Sequence, residues 1–293
     1  MRVGVDLGGT TIKIGFFDDK KIIEKFEIKT VKDTLFDDIF KAIKNKEKEK
    51  NYSIEGIGFG LPGHVLNTYI DNLPNIGISN YDFKEIADKY YKNIIIKTTN
   101  DANAAALGEA IYNNVSDILF ITLGTGVGGG IINNYKVYEG FHNNAGEIGH
   151  IFIDYKHNFK CACGLSGCLE TCASATGIVR VAKTHFNEFK TKLDINNLSS
   201  KIIFDYAKNG DELAVFAVDY MSDALARAIA NILLVSDSKE VLIGGGVSKA
   251  GKYLEDRINF YFKKYAFYAI KDVKIRISDL GNDAGIIGAS HLW

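Results

Sequence analysis

Both halves of this chain begin the same way: a short run of β-formers, a turn rich in glycine and threonine, and a second run that pairs back on the first. Val3-Gly4-Val5, then Asp6-Leu7-Gly8-Gly9-Thr10, then Ile12 to Phe17 make the first instance. Asp117 to Leu123 makes the second, followed by Gly124-Thr125-Gly126-Val127-Gly128-Gly129-Gly130, Ile131-Ile132, an Asn133-Asn134 turn and Tyr135-Lys136-Val137. Short apolar or alternating runs bounded by glycine read as strands and hairpins. Two such openings predict two α/β halves of similar construction. The chain holds 29 glycines and only 2 prolines, and glycine bunched into a few loops marks backbone that must approach something closely.

The stretches between the turns fill in the halves. Apolar residues at Leu35, Ile39, Ala42 and Ile43 give a helix over Thr34 to Lys48, and the Lys44 to Lys50 charge run is its solvated end. Ile54 to Gly60 is a strand running into the turn Leu61-Pro62-Gly63. Ile94-Ile95-Ile96 is another strand, after which Asn100-Asp101 opens a helix through Ala102 to Tyr112. Helices are expected over Leu213 to Val235 and Lys249 to Lys264, with the strand Glu240 to Ile243 between them running into Gly244-Gly245-Gly246. The organisation predicted is a small α/β domain over 1–112, completed by a C-terminal helix at 284–293, and a larger α/β domain over 113–283. The segment from Pro62 to Ile78 is not legible.

The 293 residues are enough for roughly two domains at about 150 residues each. Lys+Arg 35 against Asp+Glu 36 leaves a net charge of −1, so no basic field is available for nucleic acid. The most apolar stretches, Ile229 to Val235 and Ile118 to Ile132, are too short or too glycine-broken for the roughly 20 residues of a membrane span. Met1 to Asp6 enters a strand at once, which leaves no room for a signal peptide. A cytoplasmic enzyme is expected.

Any single glycine turn has a bland reading, and two nucleotide motifs fail on inspection. Gly124 to Gly130 would need to open a helix to serve as a dinucleotide fingerprint, and a hairpin follows instead. Gly246 with Gly251-Lys252 spells most of a P-loop, but Tyr253 stands where a magnesium-binding Ser or Thr belongs. Asp101 suits an N-cap as well as it suits a general base. All four cysteines lie between Cys161 and Cys172, a clustering that in an intracellular chain points to metal or catalysis. Cys161, Cys163, Cys168 and Cys172 form one possible zinc set. Glu109 and Glu139 read as solvated surface residues, and His64, His142, His157, His185 and His291 receive no role.

Taken together, the loops Asp6 to Thr10, Leu123 to Gly126 and Gly244 to Gly246 resemble the ATPase fold shared by actin, the heat-shock chaperone ATPases and hexokinase. Within it the chain resembles the ROK family of bacterial sugar kinases. Leu123, Gly124, Gly126, Gly128, Gly140, Gly146 and Gly149-His150 are similar to that family's signature, and Cys161 to Glu170 to its cysteine motif. The resemblance implies two ribonuclease-H-like domains with a cleft between them, and ATP-dependent phosphorylation of a hexose, glucose to glucose 6-phosphate before N-acetylmannosamine, N-acetylglucosamine or fructose. It implies Asp101 as the base; Asn100, Glu147, His150 and Glu170 on the sugar; and Gly8, Gly9, Thr10, Thr11, Lys13, Gly124, Thr125, Gly244, Gly245 and Gly246 on the nucleotide. Asp6 would hold magnesium, and structural zinc would sit on His150, Cys161, Cys163 and Cys168, leaving Cys172 as a core thiol. A homodimer is also implied. Relatives that act as sugar-responsive repressors carry a helix-turn-helix ahead of the first loop, whereas five residues precede Asp6 here. The cysteine motif and Asn100-Asp101 oppose an actin-like or chaperone-like ATPase.

Overall fold

The computed structural model describes residues 1–293 and divides into two compact units. Unit 1 comprises Met1–Asp117, Ile132–Asn143 and Asn282–Trp293; unit 2 comprises Ile118–Ile131 and Asn144–Gly281. No helix is long and apolar enough to cross a membrane.

Unit 1 opens with β1 (Arg2–Leu7), β2 (Thr11–Asp18) and β3 (Lys21–Lys29), an antiparallel meander. Then come α1 (Leu35–Lys50), β4 (Gly56–Leu61), β5 (His64–Leu66), β6 (Tyr69–Leu73), β7 (Ile78–Asp82), α2 (Lys84–Tyr90), β8 (Ile95–Asn100) and α3 (Asp101–Asn113). The main sheet runs β3-β2-β1-β4-β8, with β1, β4 and β8 parallel. Its core packs α1 against the sheet through Phe36, Phe40, Phe59 and Phe83, of which Phe36 and Phe83 stack with centroids 4.3 Å apart. The segment that could not be read, Pro62 to Ile78, forms most of a separate small sheet, β5-β6-β7.

Unit 2 begins with β9 (Ile118–Leu123) and β10 (Val127–Asn133), whose last residues pass into unit 1 and pair there with β11 (Lys136–Val137) through Ile132 and Val137. The turn between them is Asn134-Tyr135, both at positive φ, one residue later than the Asn133-Asn134 turn expected. Helices α4 (Glu170–Ala173), α5 (Ala175–Thr184), α6 (Ser200–Lys208), α7 (Glu212–Ser236), then β12 (Glu240–Gly244), α8 (Lys252–Tyr265) and β13 (Lys274–Ile277) complete the unit. Strands β9, β12 and β13 are parallel neighbours, and the near-continuous apolar runs of β9 and β12 follow from burial on both faces. Helix α7 starts at the cap Asp211, whose carboxylate accepts the Ala214 N–H at 3.1 Å, and carries the centre of the core.

The last helix, α9 (Ala284–Ala289), belongs to unit 1 and lies on bare backbone. A Cβ at Gly4 of β1 would stand 1.9 Å from the Ile286 carbonyl oxygen, and one at Gly58 of β4 would stand 1.7 Å from that of Ala289. The crossing with α3 is as close: a Cβ at Gly108 would meet the Ala284 oxygen at 2.0 Å, and one at Gly288 the Ala104 oxygen at 1.7 Å. Only hydrogen fits at these four positions, so glycine is required by approach rather than by backbone angle. Gly288→Ala gains about 1 kcal/mol of helix propensity, but overpacking a contact this short costs about 1–3 kcal/mol or more. Urea unfolding should therefore show net destabilisation of Gly288→Ala. Gly246→Ala, with open space around the new methyl, should stay within about 0.5 kcal/mol of wild type.

Candidate functional site

In unit 1 the parallel strands β1, β4 and β8 all end at one edge of the sheet, in register through Asp6 with Gly60 and Leu61 with Asn100. The carboxyl ends of parallel strands are where ligands bind in α/β sheets. Three of the expected elements emerge there: the Gly8-Gly9-Thr10 turn, Pro62-Gly63 and Asn100-Asp101. In the first, the Gly8 N–H is used internally on the Thr11 carbonyl at 3.0 Å, and the Thr30 hydroxyl donates to the Gly8 carbonyl at 2.8 Å. Gly9 and Thr10 stand exposed at the tip and Thr11 is half-buried. Lys13 points its ammonium at the Asn282 carbonyl, 3.0 Å away.

Asp6 is half-buried at the end of β1, against α9, where a Cβ at Gly285 would stand 2.7 Å from its Cγ. Burial raises its pKa, and the neighbouring Lys13 charge offsets this in part. Asp101 is the first residue of α3, and the cap is Asn100, whose Oδ1 accepts the Ala102 N–H at 2.9 Å. Asp101 suited an N-cap as well as a base; the structure makes Asn100 the cap and sets Asp101 one place further on. Asn100 also donates to the Gly63 carbonyl at 3.3 Å. The Asp101 carboxylate accepts the Ala102 N–H at 2.8 Å.

In unit 2 the same logic holds at the ends of β9 and β12, paired through Gly244 and Thr122. The Gly124 to Gly126 turn and Gly245-Gly246 leave adjacent parallel strands side by side. Gly245, at φ +85°, lies so near the Leu123 backbone that a Cβ would come within 2.6 Å. A Cβ at Gly244 would strike the Phe120 ring at 2.7 Å, whereas nothing lies within 4 Å of one at Gly124 or Gly246. Thr125 is exposed, its carbonyl taken by the Thr176 hydroxyl at 2.8 Å.

Also in unit 2, Glu147, His150 and Glu170 come together with the cysteines. His150 Nδ1 faces Cys161 Sγ at 3.7 Å, and its Nε2 faces Glu147 at 3.9 Å. The Cys161 thiol donates to Glu170 at 2.9 Å. A Cβ at Gly126 would meet Glu170 Oε2 at 2.5 Å, which sets that carboxylate on the bare backbone of the glycine turn. Cys163 and Cys168 sulfurs stand 3.7 Å apart, and the ligand atoms of His150, Cys161, Cys163 and Cys168 all lie within 4.8 Å of one another. A zinc tetrahedron with bonds of about 2.3 Å has edges of about 3.8 Å, so this donor set fits the ion. Burial pushes the Cys161 and Cys168 thiols up, while the Leu165 N–H holds the Cys163 thiol down. Cys172 is buried outside the set, with its thiol donating to the Leu169 carbonyl at 3.4 Å.

The cysteine loop is braced from behind by groups no motif pointed to. Asp154, buried, accepts the Tyr220 hydroxyl at 2.5 Å, and His157 faces Tyr220 at 2.9 Å and His185 at 2.7 Å. His157 stacks on Phe159, two residues before Cys161. The two acids read as surface residues are not: Glu109 is 0% exposed on α3, bonded by Asn113, and Glu139 is half-buried, accepting from Thr99. Helix α3 is covered almost all round, so the usual inference from an acid on a helix fails there.

Because burial lifts the Asp6 pKa in the folded chain, ionising it costs stability. The penalty is absent below the ordinary value of 3.8 and grows as pH rises from there to the folded pKa. Asp6→Asn should thus be more stable than wild type at pH 7 in metal-free, nucleotide-free buffer, with the gap closing as pH falls toward 3.8. Equal melting temperatures at pH 7 would contradict this.

Comparison with known proteins agrees with this geometry. Over 99% of its length the chain is 40% identical to a glucokinase of Halalkalibacterium halodurans, covering 94% of that protein. Among solved structures, a ROK hexokinase from Thermus thermophilus superposes with TM-score 0.87 at 28% identity, over 99% of this chain and 97% of the other. A ROK family glucokinase from Streptomyces griseus, in complex with glucose and AMPPNP, superposes with TM-score 0.77 at 29% identity, over 99% and 98%. The ROK family model matches residues 2–293, and the chain, with its actin/hexokinase-type fold, belongs to the ROK family.

Proposed function

We propose that this chain transfers the γ-phosphoryl group of ATP to the 6-hydroxyl of a hexose, glucose in the first instance. The observation that carries this reading is the placement of Asp101. It opens α3 directly after the cap residue Asn100, at the same end of the sheet as Asp6 and the Gly8 to Thr10 turn. The similarity to glucokinases, one of them solved with glucose and an ATP analogue, supports it.

Phosphoryl transfer asks the protein for position and charge more than for covalent chemistry. Asp101 accepts the hydroxyl proton as the oxygen attacks. Asn100, with one amide proton beyond its bond to Gly63, orients a hydroxyl beside it. Glu147, His150 and Glu170 supply acceptors and a donor for the remaining hydroxyls. Gly8, Gly9, Thr10 and Thr11, with Gly124 and Thr125, cradle phosphate, and Gly244 to Gly246 run beneath adenosine. Lys13 adds positive charge near the first turn. Asp6 would hold magnesium through water, since hard cations prefer oxygen, and the ion supplies charge neutralisation on the phosphates. Zinc on His150, Cys161, Cys163 and Cys168 would be structural, all four positions being filled by protein. It would fix His150 through Nδ1 and leave Nε2 toward Glu147 and the sugar. The family resemblance adds a cytoplasmic homodimer with no nucleic acid or membrane partner.

A coupled ADP-release assay over a hexose panel should show glucose turned over fastest. Asp101→Asn should cut turnover by about a hundredfold to ten-thousandfold while an ATP analogue still binds; near-normal turnover would remove Asp101 as the base. Elemental analysis should find about one zinc per chain, and Cys163→Ser should lower metal content, melting temperature and glucose affinity together. Wild-type protein that is folded, active and free of metal would exclude the zinc.

A further inference from the structure

The three residues before Asp101 each bond a different segment of unit 1. The Thr98 hydroxyl donates to the Asn67 carbonyl, the Thr99 hydroxyl to Glu139 Oε1 at 2.7 Å, and the Asn100 amide to the Gly63 carbonyl. Strand β8 is at the edge of its sheet, with β4 on one side and no strand on the other. Its end is therefore held by these side-chain bonds where an inner strand would have a second neighbour. Two of the three reach backbone carbonyls. Only Thr99 reaches a carboxylate, the stronger acceptor, and it does so at 2% exposure, where little water competes.

Glu139 lies in Ile132–Asn143, the segment of unit 1 that leads into unit 2 at Asn144 and on to Glu147. The same segment is tied to unit 1 a second time, His64 Nε2 facing the His142 carbonyl at 3.1 Å. The Thr99 bond to Glu139 thus joins the strand end that presents Asn100 and Asp101 to the root of the segment that runs to Glu147. We propose that Glu139 is a positioning residue for the transfer, acting through Thr99 on the placement of Asp101. Glu139 need not touch the sugar to do this. Displacing a reacting group by about 1 Å costs up to about a hundredfold in rate, more than the loss of one hydrogen bond costs in stability. The inference rests on Asp101 being the base.

The test is steady-state kinetics and thermal melting of Thr99→Val, Glu139→Ala, Glu139→Gln and the double variant Thr99→Val/Glu139→Ala, with Asp101→Asn measured beside them. Thr99→Val and Glu139→Ala should each lower kcat by about tenfold to a hundredfold with the KM for ATP little changed. The double variant should be no slower than the slower single one, since both remove the same bond. Glu139→Gln keeps an oxygen that accepts from Thr99 and should recover most of the activity. Multiplying effects in the double variant, unchanged kcat in either single variant, or Glu139→Gln as slow as Glu139→Ala would each overturn the proposal. If Asp101→Asn turns over normally, the assignment of the base fails instead, whatever the Glu139 variants do.

Discussion

The architecture of unit 1 depends on backbone meeting backbone. Helix α9 rests on Gly4 and Gly58 of the sheet and crosses α3 at Gly108 and Gly288, with no side chain between the main chains at any of the four contacts. Ordinary helix packing leaves 8–10 Å between axes because side chains interdigitate; removing them lets a six-residue helix lock three elements at once. Those elements carry Asp6 and lead into Asp101. Asp6, one residue before the end of β1, lies against Gly285 of α9, and α3 begins at Asp101. The placement of Asp6 relative to Asp101 is thereby tied to packing in which main chain meets main chain.

Unit 2 solves a different problem with different means. The segment from Phe152 to Cys168 has little regular structure, two isolated bridges joining Phe152 to Cys168 and Lys160 to Ser166, yet His150, Glu147 and Glu170 must be placed around it. A buried acid with its tyrosine and histidine partners braces one side of it, and the His150 and cysteine donors close the other. Buried polar groups are costly unless bonded, so a connected set of this kind specifies one arrangement of the loop.

What could be read from the sequence was local. The Gly8 to Thr10 and Gly124 to Gly126 turns, the strands around them and the long helix α7 follow from composition and period over a few residues. The cysteine cluster was visible because four thiols within twelve positions do not scatter by chance. The role of Asp101 was ambiguous, since an aspartate at a helix start suits a cap as well as a base. Pro62 to Ile78 hid two short strands and the start of a third, separated by two and four residues, that no alternation marks. Least visible were pairings between distant residues: Thr99 and Glu139 are 40 positions apart, and the glycines beneath α9 acquire meaning only when the helix is on them. Glu109 misled because a helical acid normally faces water.

The order in which the chain is written has its own consequence. Unit 1 is assembled from three stretches, the last of them Asn282–Trp293, and unit 2 lies between. During synthesis the N-terminal sheet emerges first but cannot bury Gly4 and Gly58 against α9 until Asn282–Trp293 has been made. Domains tend to fold as they emerge; here the later-made unit is the first that can finish. The sheet of the first-made stretch thus receives its last cover from a helix written after the whole of unit 2.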